Sequence, residues 1–451
     1  MHRCQTTRLA LRRTLRLSRL VQYVTRPCAC RDRTSRTLPC FKFHGVGADL
    51  EGMTRCSALR YRFLRWSHCV HTLAVVRCLY DITACQPRHR RTTLGEKTKI
   101  EWTDSSWNVI TGCSLESPGC TNCYAMKLAG SRLRNHPSRI GLTTQTKAGP
   151  VWNGALRFNE QWLEQPLRWA TPRRIFVCAH GDLFHENAER WWIVEIFAVM
   201  IAAHHLRGHT FQVLTKRAKR MHELLNDSQF WEQVYASSEC LRIFHKNRRG
   251  DEVSPPNLKF SPQNPPPGIW VGISAEDQKR YDERVGYLRS TPAVIRWVSA
   301  EPLLSAIDMR FNDVNQTGRW DAMGNELPLR RIDWVVAGGE SGRGARPFHP
   351  DWARSIRDQC AEHKVAFFWK QWGDFADATN EAPGGPLLKA SREDRIFNAV
   401  GKFFAAGDKH FGMVDEGWKE SGGAWMVRVG KKMSGRLLDG REHNEYPTEA
   451  A

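Results

Sequence analysis

The chain has 451 residues, room for one large domain with extensions or two to three ordinary ones, and a formal net charge of +20. Divided along the chain, that charge argues against a uniformly basic nucleic-acid coat: residues 1–95 hold 19 Lys and Arg against 4 acids, net +15, whereas the remainder holds 48 against 43, net +5. No apolar run approaches the ~20 residues of a membrane span, and the richest, residues 191–203, is interrupted by Glu195, so no membrane partner is expected.

A composition break near residue 95 marks a domain boundary: eight of the 14 Cys lie before it and 17 of the 18 Trp after it. Residues 1–26 alternate Arg with Leu, Thr and Ser and contain no acid, as mitochondrial transit peptides do. The Arg and Cys bias continues to residue 91 without helical or strand period. Residues 1–95 are therefore expected to be an extension, disordered or arising from a misplaced start, with a basic nucleic-acid arm as the competing reading. The absence of a secretory signal, together with a thiolate site further on, predicts a reducing, cytoplasmic location.

From residue 96, β-prone runs and helical patterns alternate. Val109 and Ile110 form a short run that Gly112 ends, and Cys113 opens a loop that continues through Cys120 and Cys123 in C-x6-C-x2-C spacing. A helix is predicted over 124–134, stopped by Asn135-His136-Pro137. Further helices are predicted over 159–169, 189–205, 218–225, 275–290 and 351–363. Strands are predicted over 174–180, 210–214, 268–273, 293–298, 332–337 and 365–369. Residues 244–267, rich in Lys, Arg, Asn and Pro, read as an inserted loop.

Counting the run before Cys113, these are seven short, continuous apolar strands, the pattern of parallel strands buried on both faces. No dinucleotide or P-loop glycine fingerprint follows the first. The predicted fold is therefore α/β, a complete or partial (β/α) barrel of about seven parallel strands over 96–373. A tail, 374–451, adds a strand or hairpin.

Cys120 and Cys123 fall three apart where a helix begins, which points both sulfurs one way and places them at the end that favours thiolate over thiol. With Cys113 they form a candidate three-thiolate metal site. Structural zinc would need a fourth ligand such as Cys178, His136 or His180. A 4Fe-4S cluster held by three Cys would instead leave one iron open to a cofactor. Strand, cysteine loop, helix is the order in which radical S-adenosylmethionine enzymes carry their cluster, although their usual spacing is C-x3-C-x2-C.

Parallel βα architectures build their sites at the carboxyl ends of the strands. The residues there are Asp182 with His185 and Glu186, Lys216 with Arg217, Ser274 with Glu276, Ser299 with Glu301, Glu340 with Ser341, and Lys370 with Gln371. Each alone has a bland explanation as a cap, a turn or a solvated face. All of them at one end predict a common pocket, with Asp182, Lys216, Glu276, Glu301 and Lys370 as candidate catalytic residues. Gly338 and Gly339 would let backbone approach a ligand closely, with Glu340 accepting from an amine. His185 is expected to be structural.

Assembled in order, T-K-I-E-W-T-D-S-S-W-N, G-C-x6-C-x2-C-Y-A, D-L-F-H-E, F-Q-V-L-T-K-R, V-G-I-S-A-E-D-Q, V-S-A-E-P-L-L, V-V-A-G-G-E-S-G-x-G-A-R-P and K-Q-W-G resemble, over residues 98–372, the phage gene-product thirty-seven/sixty-eight family. That family is a domain of unknown function with a three-Cys motif. The resemblance implies a barrel like that of radical S-adenosylmethionine enzymes, with Cys113, Cys120 and Cys123 as ligands of a 4Fe-4S cluster. It also implies Gly338, Gly339 and Glu340 as the site for the amino group of S-adenosylmethionine, although in radical enzymes a G-G-E stretch usually lies soon after the cluster loop. Two classes of function follow. One is an iron–sulfur enzyme acting on a base, a nucleotide or nucleic acid; the other is a non-enzymatic, zinc-stabilised nucleic-acid-binding protein. A partner protein is compatible with both.

Overall fold

The computed structural model describes residues 98–249, 259–311, 330–397 and 422–448, and the short strands Pro27–Arg31, Thr37–Phe41, Arg319–Trp320, Glu326–Leu327 and Phe403–Ala405. Within residues 1–69, a unit distinct from the rest, the described part is one antiparallel hairpin, with Pro27 opposite Phe41 and Arg31 opposite Thr37. The rest of the predicted extension lies outside the described residues.

One seven-stranded sheet organises the larger unit. Its strands are β1 Ser105–Trp107, β2 Arg174–Val177, β3 Thr210–Thr215, β4 Ile269–Ser274, β5 Ile295–Ala300, β6 Trp334–Gly338 and β7 Ala366–Gln371. They lie side by side in chain order, and every neighbouring pair is parallel. Strictly sequential order keeps the crossover helices on one face, which curls the sheet towards a barrel. Among the described residues β1 and β7 do not pair, so the barrel is partial.

The helices are α1 Tyr124–Ala129, α2 Arg190–Arg207, α3 Ala218–Leu225, α4 Ser228–Arg249, α5 Gln278–Arg289 and α6 Pro350–Glu362. Asp277 caps α5 by accepting from the Arg280 amide at 2.8 Å, and α2 ends on Gly208 at φ 69°, a left-handed turn that glycine makes without strain. Outward residues such as Val213, Ile273, Val298 and Val335 share one core with Phe197, Tyr281 and Ile356 from these helices.

Four elements differ from expectation, one of them the helix expected over 124–134, which ends at Ala129 with Gly130 as its C-cap. The first sheet strand is Ser105–Trp107, not the run at Val109 and Ile110; Ile110–Thr111 instead pairs antiparallel with Arg157–Phe158 in the connection after β1. Two serines hid β1, yet Ser105 is fully buried, because its position in the sheet and not its polarity decides its surroundings. The 159–169 stretch is only two short turns, Glu160–Trp162 and Gln165–Arg168, with Pro166 at the start of the second. Helix α4 had no predicted counterpart and runs through Arg249, into the stretch read as a loop.

The concave face carries a second core without helix residues: Trp102, Trp270, Trp297, Trp334 and Phe368, all nearly sealed from solvent. Trp297 and Trp334 sit on adjacent strands as register partners, ring centroids 5.1 Å apart. Gly272 is opposite Trp297, and a Cβ there would meet the indole at 2.5 Å, so only glycine leaves room for the ring. These aromatics fill the floor of the half-barrel.

The free edge of β7 is covered by the chain's own carboxyl-terminal segment. The Trp369 amide donates to the His443 carbonyl at 2.9 Å, the Glu445 amide to the Phe367 carbonyl at 3.2 Å, and Phe368 bridges Asn444. Tyr446 then packs against Trp334 and Phe368 and lies under the Arg174 guanidinium of β2, 3.9 Å from its ring. Preceding this segment, Phe375–Asp377, Asp394–Phe397, Phe403–Ala405 and Ala424–Arg428 form a small antiparallel sheet. No helix of the described residues is long and apolar enough to cross a membrane.

Candidate functional site

After β1 the chain turns through Gly112, at φ 99°, where a Cβ would strike the Ala155 carbonyl at 2.2 Å. The Gly112 amide donates to the His180 carbonyl at 3.1 Å, which keeps the chain beside the end of β2 until Cys113. A single 3-10 turn, Pro118–Cys120, leads to Cys123 at the start of α1, and the Cys123 amide donates to the Cys120 carbonyl at 3.2 Å. None of the three is in a disulfide.

The thiols face a balance between burial and polar neighbours. Burial raises the Cys113 thiol to about 12, with Asp182, Cys120 and Cys123 adding to the rise and Arg217 opposing it. Burial also raises Cys123, outweighing the amides of Met126 and Ala125, which favour its thiolate without closing a capping hydrogen bond. The helix start therefore helps the thiolate less than its position suggests. A metal cation would restore the charged form that burial disfavours, so this donor set suits a thiolate-bound metal or cluster. Among the described residues no three His, Cys, Asp or Glu side chains already stand as a ready ligand set. Of the fourth zinc ligands named from the sequence, His180 takes a hydrogen bond from Arg139 at 2.8 Å, His136 pairs with Ser138, and Cys178 is a buried free thiol.

The strand-end carboxylates hold this loop from three sides. From the end of β2, Asp182 accepts from Thr215 Oγ1 at 2.7 Å and from the Phe184 and Lys216 amides at 3.0 and 3.1 Å, and it lies 3.2 Å from Arg217 Nη1. Arg217 passes the contact on: Nη1 is 3.5 Å from Cys113 Sγ and Nη2 donates to Ser114 Oγ at 2.7 Å. His185 accepts from the Asn187 amide through Nδ1, so Nε2 is left to donate to Ser114 Oγ at 2.9 Å.

From β4, Glu276 is fully buried and accepts from the Gly119 amide of the loop at 2.9 Å. Its other oxygen takes Lys216 Nζ at 2.8 Å and Arg284 Nη1 at 3.2 Å. Burial pushes its carboxyl up, but Lys216, Ser117 and the Gly119 amide outweigh burial and hold it at about 2. From β6, Glu340 forms a two-pronged pair with Arg346, 2.7 Å and 2.9 Å, and accepts from Asn122 of the loop at 2.9 Å. Arg346 also donates to the Pro118 carbonyl at 3.1 Å.

The two glycines before Glu340 serve close packing. A Cβ on Gly339 would meet the Trp372 carbonyl at 1.9 Å, and one on Gly338 would meet Glu301 Oε1 at 2.9 Å. Glu301 and Lys370 are the remaining predicted residues and pair with each other at 2.9 Å, their side chains 13% and 19% exposed. The structure thus links Glu276 and Glu340 to the loop by contact, Asp182 through Arg217 and Lys216 through Glu276, and leaves Glu301 and Lys370 as a separate pair. Residues not foreseen as parts of the site are Asn122, Ser114 and Arg346. Arg346 is the second of two cations that follow Glu340 in G-G-E-S-G-R-G-A-R, and neither the choice between Arg343 and Arg346 nor Ser114 carries a local signal.

Comparison with known proteins adds a family and a distant likeness. The family model described as "Protein of unknown function (DUF5131)" matches residues 97–447. Nothing among curated proteins matches. Of solved structures, a cysteine-to-alanine mutant of spore photoproduct lyase is similar at 11% identity and a TM-score of 0.28, covering 78% of this chain and 91% of that one. A tyrosine-to-phenylalanine mutant of the same lyase is similar at 8% identity and a TM-score of 0.24, covering 61% and 76%. Likenesses this distant carry no inference about activity.

Proposed function

The chain belongs to the family described as a protein of unknown function (DUF5131), and from that premise we propose that it is an iron–sulfur enzyme of the radical S-adenosylmethionine type, acting on a base, a nucleotide or nucleic acid. The observation that carries the proposal is the clamping of a three-cysteine loop at the carboxyl mouth of an all-parallel half-barrel, by carboxylates from after β4 and β6 directly and from after β2 through Arg217. A zinc knuckle holding only its own loop together has no need of such anchorage. A 4Fe-4S cluster on Cys113, Cys120 and Cys123 would leave one iron open to S-adenosylmethionine and supply the electron for its reductive cleavage.

The chain's own residues then have separable tasks. Glu301 and Lys370 carry one charge of each sign beside the glycine pair, which suits the ammonium and carboxylate of a zwitterionic ligand. Tyr124, the residue after Cys123, keeps its hydroxyl on the Ala179 carbonyl at 2.8 Å while 54% of the residue is exposed, leaving ring surface on which a base can stack. Asp182, Glu276 and Glu340 orient the loop.

The test is anaerobic reconstitution with iron and sulfide, followed by metal analysis and an assay for deoxyadenosine from S-adenosylmethionine. About four irons per chain are expected, lost on changing any of the three cysteines to Ala. Stoichiometric zinc without iron after the same treatment would replace this reading with the zinc-stabilised one.

A further inference from the structure

Arg217 is 5% exposed and is the one cation within hydrogen-bond reach of a loop sulfur among the described residues. Its guanidinium is immobilised from several directions. Asp182, itself satisfied by Thr215 and two amides, lies 3.2 Å from Nη1; Ser114 takes Nη2 through both its hydroxyl and its carbonyl; Glu186 lies 3.4 Å from Nε. This is more than stability of the loop requires, since the loop is also held through Gly119 and Asn122. Nη1, held by Asp182 at 3.2 Å, is also 3.5 Å from Cys113 Sγ.

We propose that Arg217 is a positioning residue that, in the loaded protein, donates to the Cys113 sulfur and raises the reduction potential of the cluster. The inference rests on the iron–sulfur reading above. Reduction adds one negative charge to a cluster already bearing thiolates. A permanently charged guanidinium at a ligand sulfur therefore stabilises the reduced state more than the oxidised one. The carboxylates of Asp182 and Glu186 moderate that field, which makes their charges part of the same setting.

The experiment is an EPR-monitored potentiometric titration of the anaerobically reconstituted full chain, with iron content measured on each sample. Arg217→Gln should lower the one-electron reduction equilibrium constant about tenfold, a shift of about 59 mV to more negative potential. Arg217→Lys, which keeps the charge, should restore part of it. A purely structural role would reduce iron occupancy and leave the potential of the occupied fraction in place. Glu186→Gln, at an exposed side chain, removes a negative neighbour of Arg217 and should move the potential the opposite way; it serves as the test where the Arg217 variants do not fold. An iron-loaded parent whose potential is unmoved in Arg217→Gln, or a Glu186→Gln variant without the positive shift, overturns this inference alone. A parent that holds zinc and no iron overturns the reading beneath it.

Discussion

The floor and the mouth of the half-barrel are built on the same strands by opposite means. On β5, Trp297 belongs to the aromatic floor; Glu301, four residues later and so facing the same side about 13 Å along, belongs to the mouth. The floor is closed by volume: aromatic rings meet at 5 to 6 Å, and the indole nitrogens of Trp102 and Trp297 stay without a hydrogen-bond partner. The mouth is closed by charge, with Asp182, Glu276 and Glu340 each bound by at least two donors and each leading to the cysteine loop. Substitutions in the floor should therefore cost stability, and those in the mouth should cost placement of the loop or ligand.

The largest effect is expected in the floor. Trp297→Ala removes a fully buried indole from between Trp102 and Trp334 and should destabilise the domain by about 3–5 kcal/mol, read as a fall in the denaturation midpoint. A loss below about 1 kcal/mol would mean that the floor relaxes around the void, and the contrast with the mouth would fail.

Glu276 tests the mouth through pH. Its folded-state carboxyl is held at about 2, below the ordinary 4.5, so its contribution is fully present above 4.5 and is lost as pH falls through about 2. The difference is worth roughly 3 kcal/mol. Stability measured by urea unfolding should fall across that window in the parent, and Glu276→Gln should flatten the fall. A parent and variant with parallel pH profiles would show that Lys216 and Arg284 do not hold the carboxylate in its charged form.

How far the molecule was legible from its residues follows the same division. The six longer strands were readable because a parallel strand buried on both faces is a continuous apolar run. The three-residue β1, with two serines, carries no such run. Helix α4 does carry a signal in the sequence: Phe230, Val234, Ser238 and Leu241 recur at helical spacing and are all buried. At the mouth, position after a strand marked the charged residues, yet it said nothing of pairing. That Glu276 takes Lys216 while Lys370 takes Glu301 depends on which side chains cross between strands, and spacing along the chain does not encode that.

The smallest effect on stability is expected at Glu301, and it separates ligand residues from loop residues within the mouth. Its pair with Lys370 is partly open to solvent and touches no cysteine-loop atom through a hydrogen bond among the described residues, so Glu301→Gln should cost about 1 kcal/mol or less. Iron retention should match the parent. Binding of S-adenosylmethionine should weaken about tenfold or more, the worth of a charge-assisted hydrogen bond. Glu340→Gln should behave the other way: loosening Arg346 and Asn122 frees the loop, so iron should be lost faster on dilution into a chelator. The two variants measured side by side, by iron release and by equilibrium binding, distinguish holding the ligand from holding the loop. If Glu301→Gln releases iron as fast as Glu340→Gln, the mouth acts as one undivided network, and the assignment of Glu301 and Lys370 to the ligand is wrong.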